Sequence, residues 1–128
     1  MKKYLYLTSA AGVLGVSAGA FGAHALKDIL TEAGTLSIWN TAVLYHLIHV
    51  LALLVTTLFS SNQTPPSRWL RKACQCWLLG ILLFSGSLYS LALGGPRLLG
   101  PVTPLGGIFL ILGWVCVIGF SSKPASKA

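Results

Sequence analysis

Acidic residues are almost missing from this chain. Asp28 and Glu32 are the only two among 128 residues. Charged residues of all kinds make up 9%, against roughly 25% in a soluble domain. That is too little charge to wet a globule, so much of the apolar surface must face lipid. The scarcity also excludes chemistry. No carboxylate falls within the long apolar stretches. A Ser-His pair there has no acid to orient its imidazole, and a proton relay lacks the usual intramembrane carboxylate. Cysteine is scarce too. Cys74 and Cys76 are two apart and Cys116 is distant, which is neither a redox nor a zinc spacing. They read as free thiols, with acylation of Cys74 or Cys76 the alternative.

What is abundant is apolar: 55% hydrophobic residues. About 20 such residues cross a bilayer as a helix. Four stretches qualify, at 4–25, 39–60, 73–94 and 102–121, and every Lys, Arg, Asp and Glu lies outside them. The net charge of +7 therefore reads as membrane orientation. No basic run is interleaved with aromatics, so no nucleic-acid surface is expected. Lys2, Lys3, Arg68, Arg71, Lys72, Lys123 and Lys127 fall on one side of the membrane, and Lys27 and Arg97 on the other. The side richer in Lys and Arg is cytoplasmic. Both termini are thus expected in the cytoplasm, with a bacterial inner (plasma) membrane as the setting. Residues 1–121 form one domain on this reading, and 122–128 a disordered tail.

The connections agree. Pro65 and Pro66 interrupt helix between the second and third spans. Pro101 and Pro104 suit the first turn of the fourth. Leu26, Ile29, Leu30 and Ala33 recur at helical spacing beside three charges, which predicts a short amphipathic turn on the outer surface. A rival reading makes the first span a signal peptide cleaved after Ala25. The length of the stretch and its glycine pattern favour retention.

Helices in lipid associate by close backbone approach. Gly12, Gly15, Gly19 and Gly22 share one face of the first span. Gly86, Ser90 and Gly94 recur at steps of four in the third, and Gly106 and Gly113 are seven apart in the fourth, with Gly107 beside Gly106. The expected fold class is all-α, a transmembrane four-helix up-down-up-down bundle. Self-dimerisation is the alternative use of the first stripe.

Polar residues inside spans point to function. His24 closes the first span, and Trp39 opens the second at the outer interface. Tyr45, His46 and His49 follow roughly 9–15 Å deeper and share a face that should point inward. Ser85, Ser87 and Tyr89 on the third span and Thr103 on the fourth reach the same outer half. The other half is mostly Leu, Val, Ile and Ala. Two readings stay open: a hydrogen-bond network that locks the bundle, and a polar cavity for a lipid, quinone or small solute. The residues call for no metal or other cofactor, since no carboxylate or thiolate lies at the depth of the imidazoles.

Four stretches carry a family resemblance: GAFGAHAL at Gly19–Leu26, AVLYHLIHVLALL at Ala42–Leu54, LFSGSLYSLAL at Leu83–Leu93 and TPLGGIFLILGW at Thr103–Trp114. Together the chain resembles the YgdD-like family of small inner-membrane proteins of unknown function. The resemblance implies four membrane helices, a retained N-terminus and no known reaction. It carries over Gly19, Phe21, Gly22, His24, Tyr45, His49, Ser85, Gly86, Ser87, Tyr89, Thr103, Pro104, Gly106, Gly107 and Trp114. The expectation is a non-enzymatic membrane accessory or scaffold, its partners the lipid bilayer and either another membrane protein or a second copy. The alternative is binding or transport through the polar cavity.

Overall fold

The structure, a computed structural model, describes residues 1–122. The part of the tail at 123–128 lies outside the described residues. The described residues are all-helical, 84% of them in helix. Helix α1 is Lys2–Ala23, α2 Lys27–Glu32, α3 Leu36–Ser61 and α4 Arg68–Gly80. A π-helical turn, Ile81–Ser85, joins α4 to α5, Gly86–Ala92. A 3₁₀ turn at Arg97–Leu99 precedes α6, Val102–Ser121. Helix α4, the π turn and α5 form one limb of 25 residues, Arg68–Ala92. With α1, α3 and the region of α6 it makes four helices, among the described residues, long and apolar enough to cross a membrane.

Three of these helices begin before the apolar stretches that announce them. Segregated charge marks where hydrocarbon ends, and a helix is free to continue into the headgroups. Arg68, Arg71 and Lys72 sit on the first turns of α4 for that reason. Reversals fall where backbone freedom is needed: Gly34 (φ 68°) precedes α3 and Gly94 (φ 82°) follows α5, a left-handed geometry that glycine adopts without a Cβ penalty.

Helix α3 is the centre. It packs on α1 to one side and on the α4–α5 limb to the other, and the limb packs on α6. The core gathers Tyr4, Val50, Leu53, Ala73, Cys74, Trp77, Ile81 and Leu110. Near α2 a smaller cluster joins Leu30, Trp39 and Ala92. The amphipathic turn is α2, whose Leu30 is fully buried while Lys27, Asp28 and Glu32 are exposed.

The glycines of α1 face α3. A Cβ on Gly12, Gly15, Gly19 or Gly22 would lie 3.5 Å from Val50, 2.8 Å from Leu47, 3.4 Å from Val43 and 2.3 Å from Trp39 respectively. The stripe packs against α3 inside the bundle. In α6, Gly113 makes room for Trp77, and Gly106 lets the backbone of α6 meet the backbone of the π turn. The stripe expected on the third span is not a packing stripe. Around Gly86 and Gly94 nothing lies within 4 Å of an added Cβ. The close approach on that limb is made by Gly80, against Leu110.

The end of the bundle away from α2 is less aliphatic than expected. Thr8, Thr56, Thr57 and Ser60 are buried there. Thr8 donates to its own helix at Tyr4 O, 2.7 Å, a bond that satisfies a hydroxyl without a second helix. Thr57 Oγ1 lies 3.7 Å from Cys74 Sγ. Cys74 is fully buried, which removes it as an acylation site.

Candidate functional site

The polar residues read from the sequence do not form one cluster. His46 and His49 are three residues apart on α3, so their side chains diverge by about 60°. That is enough to send them to opposite sides of the limb.

His46 turns toward α1 and α5. Its Nδ1 lies 3.2 Å from the Tyr89 hydroxyl. No other acceptor for that hydroxyl is found among the described residues, so the phenol donates to Nδ1 and the imidazole proton sits on Nε2. His46 Nε2 is buried without a hydrogen-bond partner. The Tyr89 ring packs on Trp39, 4.7 Å between centroids. Trp39 Nε1–H donates to Ala18 O at 2.9 Å. Trp39 is only 5% exposed, so its indole is held inside the bundle. It is a polar clasp between α1 and α3, and Gly22 clears the space for it.

His49 turns toward α6. Nδ1–H donates to Tyr45 O at 2.7 Å, which leaves Nε2 as the acceptor of Trp114 Nε1–H at 3.2 Å. Both nitrogens are therefore satisfied in one neutral tautomer. Trp114 packs edge-on to Trp77, 5.0 Å away, and Trp77 Nε1–H donates to Leu110 O at 3.2 Å. Tyr45 does not point inward with the histidines. It is 41% exposed, its ring 4.8 Å from Phe84.

Ser87 serves the π turn, while Ser85 ties the limb to α3. Such a turn widens the backbone ladder and leaves carbonyls to be satisfied elsewhere. Ser85 is fully buried and donates to Ala42 O of α3 at 2.9 Å. Ser87 Oγ lies 3.0 Å from Phe84 O and 2.7 Å from Thr103 Oγ1. Thr103 donating to Ser87, and Ser87 to Phe84 O, satisfies all three groups. His24 is exposed after the last turn of α1 and joins none of these contacts. Gly107 lies at ordinary distance from the Phe84 ring, 3.7 Å for an added Cβ. Among the described residues no three His, Cys, Asp or Glu side chains gather as metal ligands do.

Two clefts flank the limb. The larger, about 640 Å³, separates α1 from α4, the π turn and α5. Leu7, Leu14 and Phe21 form one wall and Leu78, Leu82 and Gly86 the other; Trp39, His46 and Tyr89 close its floor. The smaller, about 320 Å³, lies between α3, Phe84 of the π turn and α6.

A family model described as "Protein of unknown function (DUF423)" matches residues 18–107. The chain belongs to this family. The DUF423 match runs from the C-terminal part of α1 to the first turns of α6, and so contains all three histidines, the π turn and Thr103. Similar proteins are named UPF0382 membrane proteins. One from Staphylococcus epidermidis is 42% identical over 120 residues, covering 92% of this chain and 93% of its own. One from Haemophilus influenzae is 39% identical over 124 residues, covering 97% of each. YwdK from Bacillus subtilis is 36% identical over 123 residues, covering 92% and 94%. No solved structure matches. The chain is a small membrane protein of a family without an assigned activity, and a lipid bilayer is its environment.

The bonds made by the indole N–H groups are what sequence reasoning passed over. Trp39, Trp77 and Trp114 each spend the indole N–H on another helix or on a carbonyl. The signal was present as large–small pairs, Trp39 with Gly22 and Trp77 with Gly113, but the pairing needs the helix register.

Proposed function

We propose that this protein is a non-enzymatic membrane protein that holds the hydrocarbon chain of a membrane lipid in the groove between α1 and the α4–α5 limb. One observation carries the reading: a cleft of about 640 Å³ with apolar walls, in the size range of small-molecule sites. The polar groups at its floor are mostly engaged with one another. Tyr89 is bonded to His46 and Trp39 to Ala18, so the groove offers shape and apolar surface more than charge. The same engagement argues against catalysis: His49 has both nitrogens occupied, and no carboxylate lies within the spans.

A scaffold role is the second reading. Ala10, Ala11, Ser17 and Ala18 line the α1 side of the groove, and small residues permit close approach of a helix. A partner's transmembrane helix would then be the occupant. Seven Lys and Arg against two support cytoplasmic placement of both termini in a bacterial inner membrane.

Native mass spectrometry of the protein released from lipid nanodiscs separates the readings. A bound mass of lipid size, lost in Gly86→Leu, supports chain binding. A bound protein supports the scaffold. Lipid retained equally by wild type and Gly86→Leu would refute the groove as the binding site. The substitution suits the test because an added Cβ at Gly86 meets nothing within 4 Å.

A further inference from the structure

The smaller cleft has a different character. Its walls are the rings of Tyr45, Phe84 and Trp114, with His49 behind them and Gly107 and Ile111 on the α6 side. We propose that this cleft binds the flat, carbonyl-bearing ring of a membrane-dissolved quinone, whose chain stays in the bilayer. The inference uses a separate cavity and does not rest on the chain-binding groove.

Size is the first argument. About 320 Å³ is at the lower end for small-molecule sites. It admits a ring but not a whole lipid. The lining is the second. Tyr45 and Trp114 are 41% and 46% exposed, and Tyr45 and Phe84 meet at 4.8 Å with planes tilted by 45°. Aromatic faces left open in this way receive another ring in offset or edge-on contact. No Lys, Arg, Asp or Glu lines the cleft, so a phosphate or ammonium head would go unpaired in hydrocarbon.

Hydrogen bonding then fixes the polarity of the ligand. The His49 proton is given to Tyr45 O, and its lone pair is taken by Trp114. The imidazole holds Trp114 in place and has nothing left to offer. The Tyr45 hydroxyl donates to no acceptor among the described residues. It is rooted six residues from Trp39, about 9 Å along α3, where an unsatisfied O–H is costly. The free hydroxyl still has its proton to give, and a ligand that brings an acceptor satisfies it. A neutral ring carbonyl does this without carrying charge into the bilayer.

The chain builds the cleft deliberately at two points. The π turn delivers Phe84 to the cleft, and such turns recur at functional sites. Gly107 keeps the α6 wall open: its added Cβ would stand 3.7 Å from the Phe84 ring, so a long side chain there would extend into the cavity.

The test uses the full chain in quinone-free phosphatidylcholine nanodiscs, titrated with decylubiquinone and followed by tryptophan fluorescence. Wild type should show saturable quenching above the linear partitioning background. Decylbenzene, with the same chain and no carbonyl, should show no saturable binding. Tyr45→Phe should weaken decylubiquinone binding about two- to tenfold, as loss of one neutral hydrogen bond implies. Gly107→Leu should abolish the saturable phase, and lipid-facing Val16→Ala should leave it unchanged. Circular dichroism checks that each variant is folded. If Gly107→Leu fails to fold, Tyr45→Phe decides alone. Purely linear quenching in wild type, equal binding of decylbenzene, or an unchanged affinity in Tyr45→Phe overturns the proposal. Any of these leaves the α1 groove untouched, since that reading is scored by bound lipid mass in Gly86→Leu.

Discussion

Gly106 and Gly107 are adjacent, yet the structure predicts opposite outcomes when each becomes alanine. A Cβ on Gly106 would fall 2.2 Å from Phe84 N and 2.7 Å from Leu83 C and Phe84 Cα. All three are backbone atoms, so no side chain can swing aside. Tight but tolerable contacts begin near 3.0–3.4 Å, so α6 must retreat from the π turn by about 1 Å. Overpacking of this kind costs about 1–3 kcal/mol. Retreat also strains the contact one turn on, where Trp77 Nε1–H reaches Leu110 O at 3.2 Å; losing that bond adds about 1 kcal/mol. Gly106→Ala should therefore lose about 2–4 kcal/mol, a shift of about 30-fold or more in the folding equilibrium. For Gly107→Ala the new methyl meets only the Phe84 ring at 3.7–3.8 Å, and the change should stay within about 0.5 kcal/mol. The assay is reversible unfolding in mixed dodecyl maltoside and SDS micelles, followed by tryptophan fluorescence. A Gly106→Ala protein as stable as Gly107→Ala would show that α6 does not cross the π turn backbone to backbone.

Three further outcomes follow from the same geometry. Ser85→Ala removes the bond to Ala42 O, whose carbonyl keeps its own helix partner; the loss in the same unfolding assay should be about 0.6–1.7 kcal/mol, and a loss above 3 kcal/mol would contradict a simple interhelical bond. A double-mutant cycle of Trp114→Phe and His49→Leu should give a coupling of about 0.5–2 kcal/mol, while a value near zero would deny the Trp114–His49 bond. A phosphatase reporter fused after Ala128 should be inactive and a fluorescent reporter at the same point bright; the reverse pattern would invert the orientation inferred from charge.

Much of the frame was legible because hydrocarbon imposes it. Every charge lies outside four apolar stretches, and each helix long enough to cross a membrane covers most or all of one of them. The short amphipathic segment at α2 was visible for the same reason, in Leu30 recurring beside Lys27 and Glu32. The glycine stripe of α1 was also readable, since four glycines on one face mark a close backbone approach. The site was harder. Tyr45, His46 and His49 look like one face when only their spacing is known, but α3 has neighbours on two sides and a 60° difference assigns the histidines to different ones. Gly86 and Gly80 could not be told apart by composition. One faces a groove and the other faces Leu110, and the distinction lies in how the limb is rotated.

Sequence alone therefore determined how many helices cross and which residues must stay at the ends, because the free energy of a charge in lipid depends on that charge and its depth. Only the tertiary structure decided who bonds whom: Tyr89 with His46, Trp114 with His49, Ser85 with Ala42. Those pairings span 43 to 65 residues, and they exist because helix rotation and axial shift are set jointly by all the packed neighbours.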